Sequence, residues 1–151
     1  FIPLAEESGM ILEIGEWVLR EACRTVQSWR SRGETGLSVA VNVSVLQLLR
    51  GDFAEVVSRA LADTGLAPDG LELELTESVL MANAEQALDK LARIRALGVS
   101  LAVDDFGTGY SSLAYLQRLP LTTLKIDKAF IHHLDQDSGD TAIATTIIAM
   151  A

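Results

Sequence analysis

The segment from residue 101 to residue 127 carries the residue types best suited to chemistry. An apolar run ends in two adjacent acids, Asp104 and Asp105, and a second apolar run ends near Lys125. Adjacent carboxylates repel each other, and a shared proton or a bound cation removes that repulsion. Two strands that end in charged residues and are joined by a helix predict a parallel sheet with its chemistry at the carboxyl edge.

Two earlier predicted strands also end in polar side chains, Asn42 and Glu74. With the two aspartates they form an all-oxygen donor set, which favours Mg²⁺, Mn²⁺ or Ca²⁺ over Zn²⁺. The adjacent acids Asp104 and Asp105 could serve two ions, which at about 3.5–4 Å apart would activate a water and stabilise the leaving oxygen of a phosphoester. Lys125 is expected to act electrostatically on that water or on a phosphate oxygen.

Each of these residues also has an ordinary structural interpretation. A single acid at a strand end is most often a helix cap or a solvated loop residue, and a lysine there can reach out to solvent. Glu77 could be a first-turn acid favoured by the helix dipole, or it could hold the glycine-rich loop FGTGYSS at residues 106–112. The functional interpretation gains weight because consecutive strands all end in such residues.

The elements that must position these side chains alternate between helix and strand. Helices are predicted at 6–30, 45–64, 84–97 after an Asn83 cap, 111–118, and from Asp140 onward; strands are predicted at 37–43, 71–75, 100–104 and 123–127. A (β/α)₈ barrel needs eight such units and about 250 residues. The chain is therefore predicted to be an α/β protein with about four central βα units of a (β/α)₈ barrel, with no internal domain boundary; a doubly wound open sheet is the alternative.

Composition and charge limit the classes of binding partner and indicate the cellular compartment. Of the 151 residues 49% are hydrophobic, so a packed core is expected, and the net charge of −9 disfavours a long polyanion such as duplex DNA. A small phosphate ester remains possible because metal ions invert the local field. The single Cys23 and the lack of a signal peptide or membrane span in the sequence predict a reducing cytoplasm.

These residues match a known pattern. The chain resembles the EAL-domain phosphodiesterases, bacterial signalling enzymes that hydrolyse cyclic di-GMP to the linear dinucleotide pGpG. The resemblance covers essentially all of the chain and rests on segments that include FIPLAEESGMILEIGEWVL at the start and LELELTES at 71–78. Its highly specific parts are DDFGTGYSSL and the KID segment, between 104 and 127.

The resemblance implies a role for each site residue. Asn42, Glu74 and Asp104 would bind the first metal ion, Mg²⁺ or Mn²⁺, and Asp104 and Asp105 would bind the second. Lys125 would contact the nucleophilic water. Glu77 would anchor the mobile loop that links metal binding, substrate binding and dimerisation.

The resemblance also implies partners and further chain. A homodimer through the barrel near residues 111–118 is expected, as are covalently linked sensory or GGDEF-type domains, without direct membrane contact from this segment. The family's Glu-Ala-Leu signature, with its ligand Glu, is expected before Phe1, and a further Glu and Gln after Ala151. The chain is thus expected to be a partial EAL domain whose isolated activity is uncertain.

Two other functions compete with phosphodiester hydrolysis. A domain that binds cyclic di-GMP without cutting it is known in the family, usually with damaged ligands, whereas the ligands visible here are intact. Strand-end acids with a lysine also suit a Mg²⁺-assisted enolising enzyme. Adjacent acids on one strand fit a two-ion site better than the one-acid-per-strand pattern of that chemistry.

Overall fold

The structure, a computed structural model, describes residues 1–76, 84–106 and 118–126, and for residues 84, 105 and 106 it describes the backbone alone. The helices are α1 (Ile2–Ser8), α2 (Ile11–Arg30), α3 (Val45–Leu49), α4 (Phe53–Thr64) and α5 (Ala84–Ala96). The strands are β1 (Val39–Asn42), β2 (Leu71–Thr76), β3 (Ser100–Phe106) and β4 (Thr123–Ile126).

The four strands form one parallel sheet in the order β1-β2-β3-β4. Each strand therefore pairs with the next one along the chain, as in a (β/α)₈ barrel. A doubly wound sheet would instead reverse its strand order at a switch point. This topology confirms the predicted barrel-type α/β fold and does not match the doubly wound alternative.

The two faces of the sheet differ in chemistry. Leu71, Leu73 and Leu75 alternate along β2, are almost fully buried, and belong to one core with residues of α2, α4 and α5. Residues in register share a face in a parallel sheet. Asn42 lies opposite Glu74, Glu74 opposite Ala102, and Ala102 opposite Thr123. The face away from the helices therefore carries Asn42, Glu74 and Thr123. Asp104, two residues after Ala102 and in register with Thr76, lies on the same face.

Two long predicted helices are each divided in two, so both predictions were wrong in this respect. The predicted helix 6–30 is interrupted at Gly9, which has a φ of 76° and ends α1 in the left-handed conformation. The predicted helix 45–64 breaks after α3, where Arg50 is extended, and α4 begins after the N-cap Asp52. The hydrophobic periodicity continues across both breaks, so the sequence pattern predicted two continuous helices.

Side-chain caps fix the short helix that follows β1. Ser44 and Gln47 form a reciprocal capping box at the start of α3, directly after the end of β1. Lys90 of α5 donates to the carbonyls of Leu49 and Gly51, and Arg93 pairs with Asp52 at 2.6 Å. Helix α5 thereby holds the turn between α3 and α4.

The remaining predicted elements agree with the structure where it describes them. The four strands and the helix at 84–97 are present, with ends that differ by a few residues. The Asn83 cap, most of the helix at 111–118, the strand end at 127 and the helix after Asp140 lie outside the described residues. No helix in the described ranges has both the length and the apolar character needed to cross a bilayer.

Candidate active site

Glu74 is the most deeply placed charged side chain of the described residues. It is 7% exposed and lies on β2 among leucines that face the other way. The strand alternation LELEL forces this arrangement, because successive side chains point to opposite faces of the sheet. A buried carboxylate requires a charged or hydrogen-bonding partner, and the structure provides one.

That partner is Lys125, which comes from β4 two strands away. Its ammonium Nζ donates directly to Oε1 of Glu74. This hydrogen bond raises the pKa of Lys125 above its ordinary value, outweighing a smaller opposing effect of desolvation. The charges of Glu74, Glu72 and Asp104 raise that pKa further. Lys125 therefore carries a positive charge at neutral pH, so the side chain presents a cation to this part of the sheet rather than a base.

Glu72 lies on the same face of β2, two residues before Glu74 and nearer the start of the strand. Its Oε1 is 3.7 Å from Nζ of Lys125, and its Oε2 accepts a hydrogen bond of 3.1 Å from the hydroxyl of Thr123. The ammonium of Lys125 thus lies between two carboxylates of the same strand. The strand-end argument did not identify Glu72 or Thr123 because neither ends a strand. The period-two pattern of LELEL could have placed Glu72 on the face of Glu74.

Asn42 and Asp104 lie on the same face as this ion pair. Asn42 is exposed at the end of β1, in register with Glu74. Asp104 is partly buried, in register with Thr76 two residues beyond Glu74, and close enough to influence the pKa of Lys125. The structure therefore brings four of the six predicted site residues to one region of the sheet.

The backbone of β3 is irregular where its two acids stand. Val103 pairs with Leu124 and Phe106 with Ile126, so three steps along β3 match two along β4. Such a bulge interrupts the regular alternation of faces and is frequent beside active sites. It falls at Asp104 and Asp105. The side chain of Asp105 and the whole of Glu77 lie outside the described residues, so their predicted roles stay predictions.

The described oxygen donors suit a hard divalent cation. Asn42, Glu74 and Asp104 offer an amide oxygen and two carboxylates from three neighbouring strands, the donor type that Mg²⁺ and Mn²⁺ prefer. A cation, the Lys125 ammonium, already lies against Glu74. Among side chains that the structure describes, no three His, Cys, Asp or Glu groups surround a common point. Asn42, Glu74 and Asp104 therefore match such a cation in donor type, although they do not form a closed cluster in this part of the chain.

Comparison with known proteins identifies the family. The model of the EAL domain matches residues 1–151. In Pseudomonas aeruginosa, the cyclic di-GMP phosphodiesterase NbdA is 52% identical over 151 residues, and the bifunctional diguanylate cyclase/cyclic di-GMP phosphodiesterase MucR is 48% identical over 150. These alignments cover 100% and 99% of this chain but only 19% and 22% of the relatives, so the chain spans about a fifth of their length.

Two solved structures lead to the same family. The complex of the PaMucR phosphodiesterase with c-di-GMP superposes with a TM-score of 0.88 at 48% identity, over 99% of this chain and 61% of that one. The crystal structure of the EAL domain of Mycobacterium smegmatis DcpA superposes with a TM-score of 0.80 at 41% identity, over 92% of this chain and 62% of that one. The chain belongs to the EAL domain family.

Proposed function

We propose that the protein to which this chain belongs hydrolyses cyclic di-GMP to the linear dinucleotide in a reaction that needs divalent cations. The observation that carries the proposal is the cluster of Glu74, Lys125 and Asp104 on one face of the sheet. Its support from relatives is the identity of 48% and 52% to MucR and NbdA, both named as cyclic di-GMP phosphodiesterases.

The proposed roles are those that the resemblance to the EAL family implies. Asn42, Glu74, Asp104 and Asp105 would hold two ions, Mg²⁺ or Mn²⁺, and Glu77 would anchor the loop that follows β3. When bound, the ions would supply an activated water and stabilise the leaving oxygen of the phosphodiester. Lys125 keeps its proton and directs its ammonium at the region where phosphate charge develops, a contribution that is electrostatic.

The charge of the chain fits a small anionic substrate better than a polymer. The net charge is −9, so the surface as a whole repels polyanions. Lys125 and the proposed cations would create a local positive field within that negative surface. A cyclic dinucleotide carries only two phosphodiester charges and can be neutralised there, whereas a long nucleic acid would meet uncompensated repulsion.

We also propose that the 151 residues are part of a larger EAL domain and protein. The chain covers 61% of the PaMucR phosphodiesterase chain and about a fifth of MucR. The name of MucR joins a diguanylate cyclase to the phosphodiesterase, which supports covalently linked cyclase-type or sensory domains. A homodimer through the barrel and a cytoplasmic location, where cyclic di-GMP acts as a second messenger, complete the proposal.

The proposal is tested by substituting the ammonium in the full-length protein. With Mg²⁺ and cyclic di-GMP, the Lys125→Ala variant is expected to lose about 100-fold in kcat, because a charge aimed at the transition state contributes on that scale. Arg59→Ala is the matched control: this cation is half exposed on α4, forms only a 4.0 Å contact with Glu55, and should leave kcat unchanged. Undiminished turnover in Lys125→Ala would reject the assigned role, and binding without turnover in the wild type would indicate a sensor domain.

A further inference from the structure

We propose that Glu72, held by Thr123, is a positioning residue that keeps the Lys125 ammonium in place independently of Glu74. The catalytic consequence rests on the proposed phosphodiesterase function, whereas the pairing itself does not. Glu72 belongs to none of the roles assigned above. It lies on β2 two residues before Glu74 and is opposite Ser100, the first residue of β3.

The two oxygens of Glu72 have different partners. Oε2 accepts the hydrogen bond from the Thr123 hydroxyl at 3.1 Å, and Oε1 faces Nζ of Lys125 at 3.7 Å. Thr123 and Lys125 are two residues apart on β4, so they share one face of that strand. The hydroxyl fixes the rotation of the carboxylate, and the fixed carboxylate leaves its second oxygen directed at the ammonium.

Lys125 needs such a partner because its side chain is flexible. It is 38% exposed, compared with 23% for Glu72, and a lysine ammonium on a four-carbon stem loses considerable rotational freedom when it is held in one place. In the structure, Glu74 also holds it. If Glu74 turns its oxygens to a divalent cation, as proposed, that contact weakens. Glu72 is then the carboxylate that still retains the ammonium beside the site.

A purely structural role for Glu72 is the competing explanation. A partly buried acid could simply satisfy the Thr123 hydroxyl inside the sheet, with no effect on Lys125. The two explanations differ in one respect. A positioning role acts only through the Lys125 ammonium, so substitution of Glu72 has no effect on kcat when that ammonium is absent. A structural role persists in either background.

The test is a double-mutant cycle in the full-length protein. Glu72→Gln keeps the shape and the hydrogen bond from Thr123 but removes the charge. It is expected to lower kcat by about 10–100-fold with KM for cyclic di-GMP unchanged, as for other residues that orient a reacting group. Thr123→Val should lower kcat in the same way and Thr123→Ser should restore it. Glu55→Gln, an exposed acid on α4, is the control and should change nothing.

The decisive comparison is made in the Lys125→Ala background, where Glu72→Gln should have no further effect on kcat. An equal loss in both backgrounds, or an unchanged kcat in Glu72→Gln alone, would overturn the inference. The same cycle is measured by thermal unfolding without metal or substrate, where Glu72→Gln should lower Tm only when Lys125 is present. If the wild type shows no turnover, the proposed function fails; additive Tm shifts would then overturn the pairing as well, and coupled shifts would retain it.

Discussion

At the residue scale, the Lys125 ammonium and the proposed divalent ion share one carboxylate, that of Glu74. Lys125 donates to Glu74, and Glu74 is also a proposed ligand for a divalent ion. If the proposed ion binds, the ammonium and the ion would compete for the same negative charge and repel each other. In the proposed reaction, a positive charge beside the ions would stabilise the negative charge that develops on the phosphodiester, which offsets this repulsion.

This competition predicts opposite changes in cation affinity for the two partners of the ion pair. Lys125→Ala should bind Mn²⁺ about fivefold more tightly, since one unit charge a few ångströms away in a partly solvated site has an effect of about 1 kcal/mol. Glu74→Gln should bind Mn²⁺ more weakly, because it replaces a carboxylate by a neutral amide. Isothermal titration of the full-length variants measures both. Weaker binding in Lys125→Ala would show that the ammonium does not oppose the ion.

The strand-end rule predicted the main site residues but not those that hold them. Asn42, Glu74, Asp104 and Lys125 were identifiable because each stands at or near the carboxyl end of an apolar run. Glu72 and Thr123 lie within their strands, and only the pairing of β2, β3 and β4 brings them together. Contacts of that kind depend on register between strands far apart in sequence, which local patterns do not determine.

At the element scale, the turn before β3 positions the strand that carries Asp104. Gly98 joins α5 to β3, the strand that carries Asp104, and its φ of 94° lies in the left-handed region. A Cβ added there would also lie 3.2 Å from Cβ of Pro68. Both the backbone conformation and the close approach therefore require glycine at this position.

Gly98→Ala is expected to lower the free energy of unfolding by about 1–2 kcal/mol or more, through strain in the left-handed conformation and the contact with Pro68. Gly36→Ala is the matched control, because no atom lies within 4 Å of its added Cβ and its φ is not positive. The control should be neutral or slightly stabilising. Chemical denaturation of both variants measures the difference, and equal stabilities would contradict the strain argument.

The same scale explains what the sequence pattern missed. The helix break at Gly9 and the break between Arg50 and Asp52 interrupt apolar patterns that continue on both sides. The bulge at Asp104 and Asp105 arises only from the pairing of β3 with β4. Periodicity gives the faces of elements reliably, but it does not report backbone breaks whose cause is a single cap or a neighbouring strand.

At the scale of the whole molecule, one surface of α2 exposes several large apolar side chains. Trp17 and Trp29 on α2 are 65% and 46% exposed, and with Val18 and Val39 they line a shallow cavity of about 310 Å³ next to β1. Within the described ranges, β1 pairs only with β2. An apolar helix face beside an unpaired strand edge supports the proposal that further parts of a larger EAL domain pack there.

Two substitutions on α2 test this proposal in the full-length protein. If further chain covers the face, Trp17→Gln should lower the free energy of unfolding by about 2 kcal/mol, the usual effect of losing a buried large apolar side chain. Arg24→Gln, on the same helix and 70% exposed, should change it by less than about 0.5 kcal/mol. Equal and small effects of both substitutions would show that the face remains in solvent.

The most direct test of the central claim is a cation-dependence measurement on the full-length protein. Cyclic di-GMP is incubated with enzyme stripped by a chelator, and with the same enzyme after Mg²⁺ or Mn²⁺ is restored, and the products are separated by chromatography. Linear pGpG should form only after the cation is restored, because Asn42, Glu74 and the two aspartates are proposed to act through it. Formation of pGpG at the same rate in stripped enzyme would contradict the account.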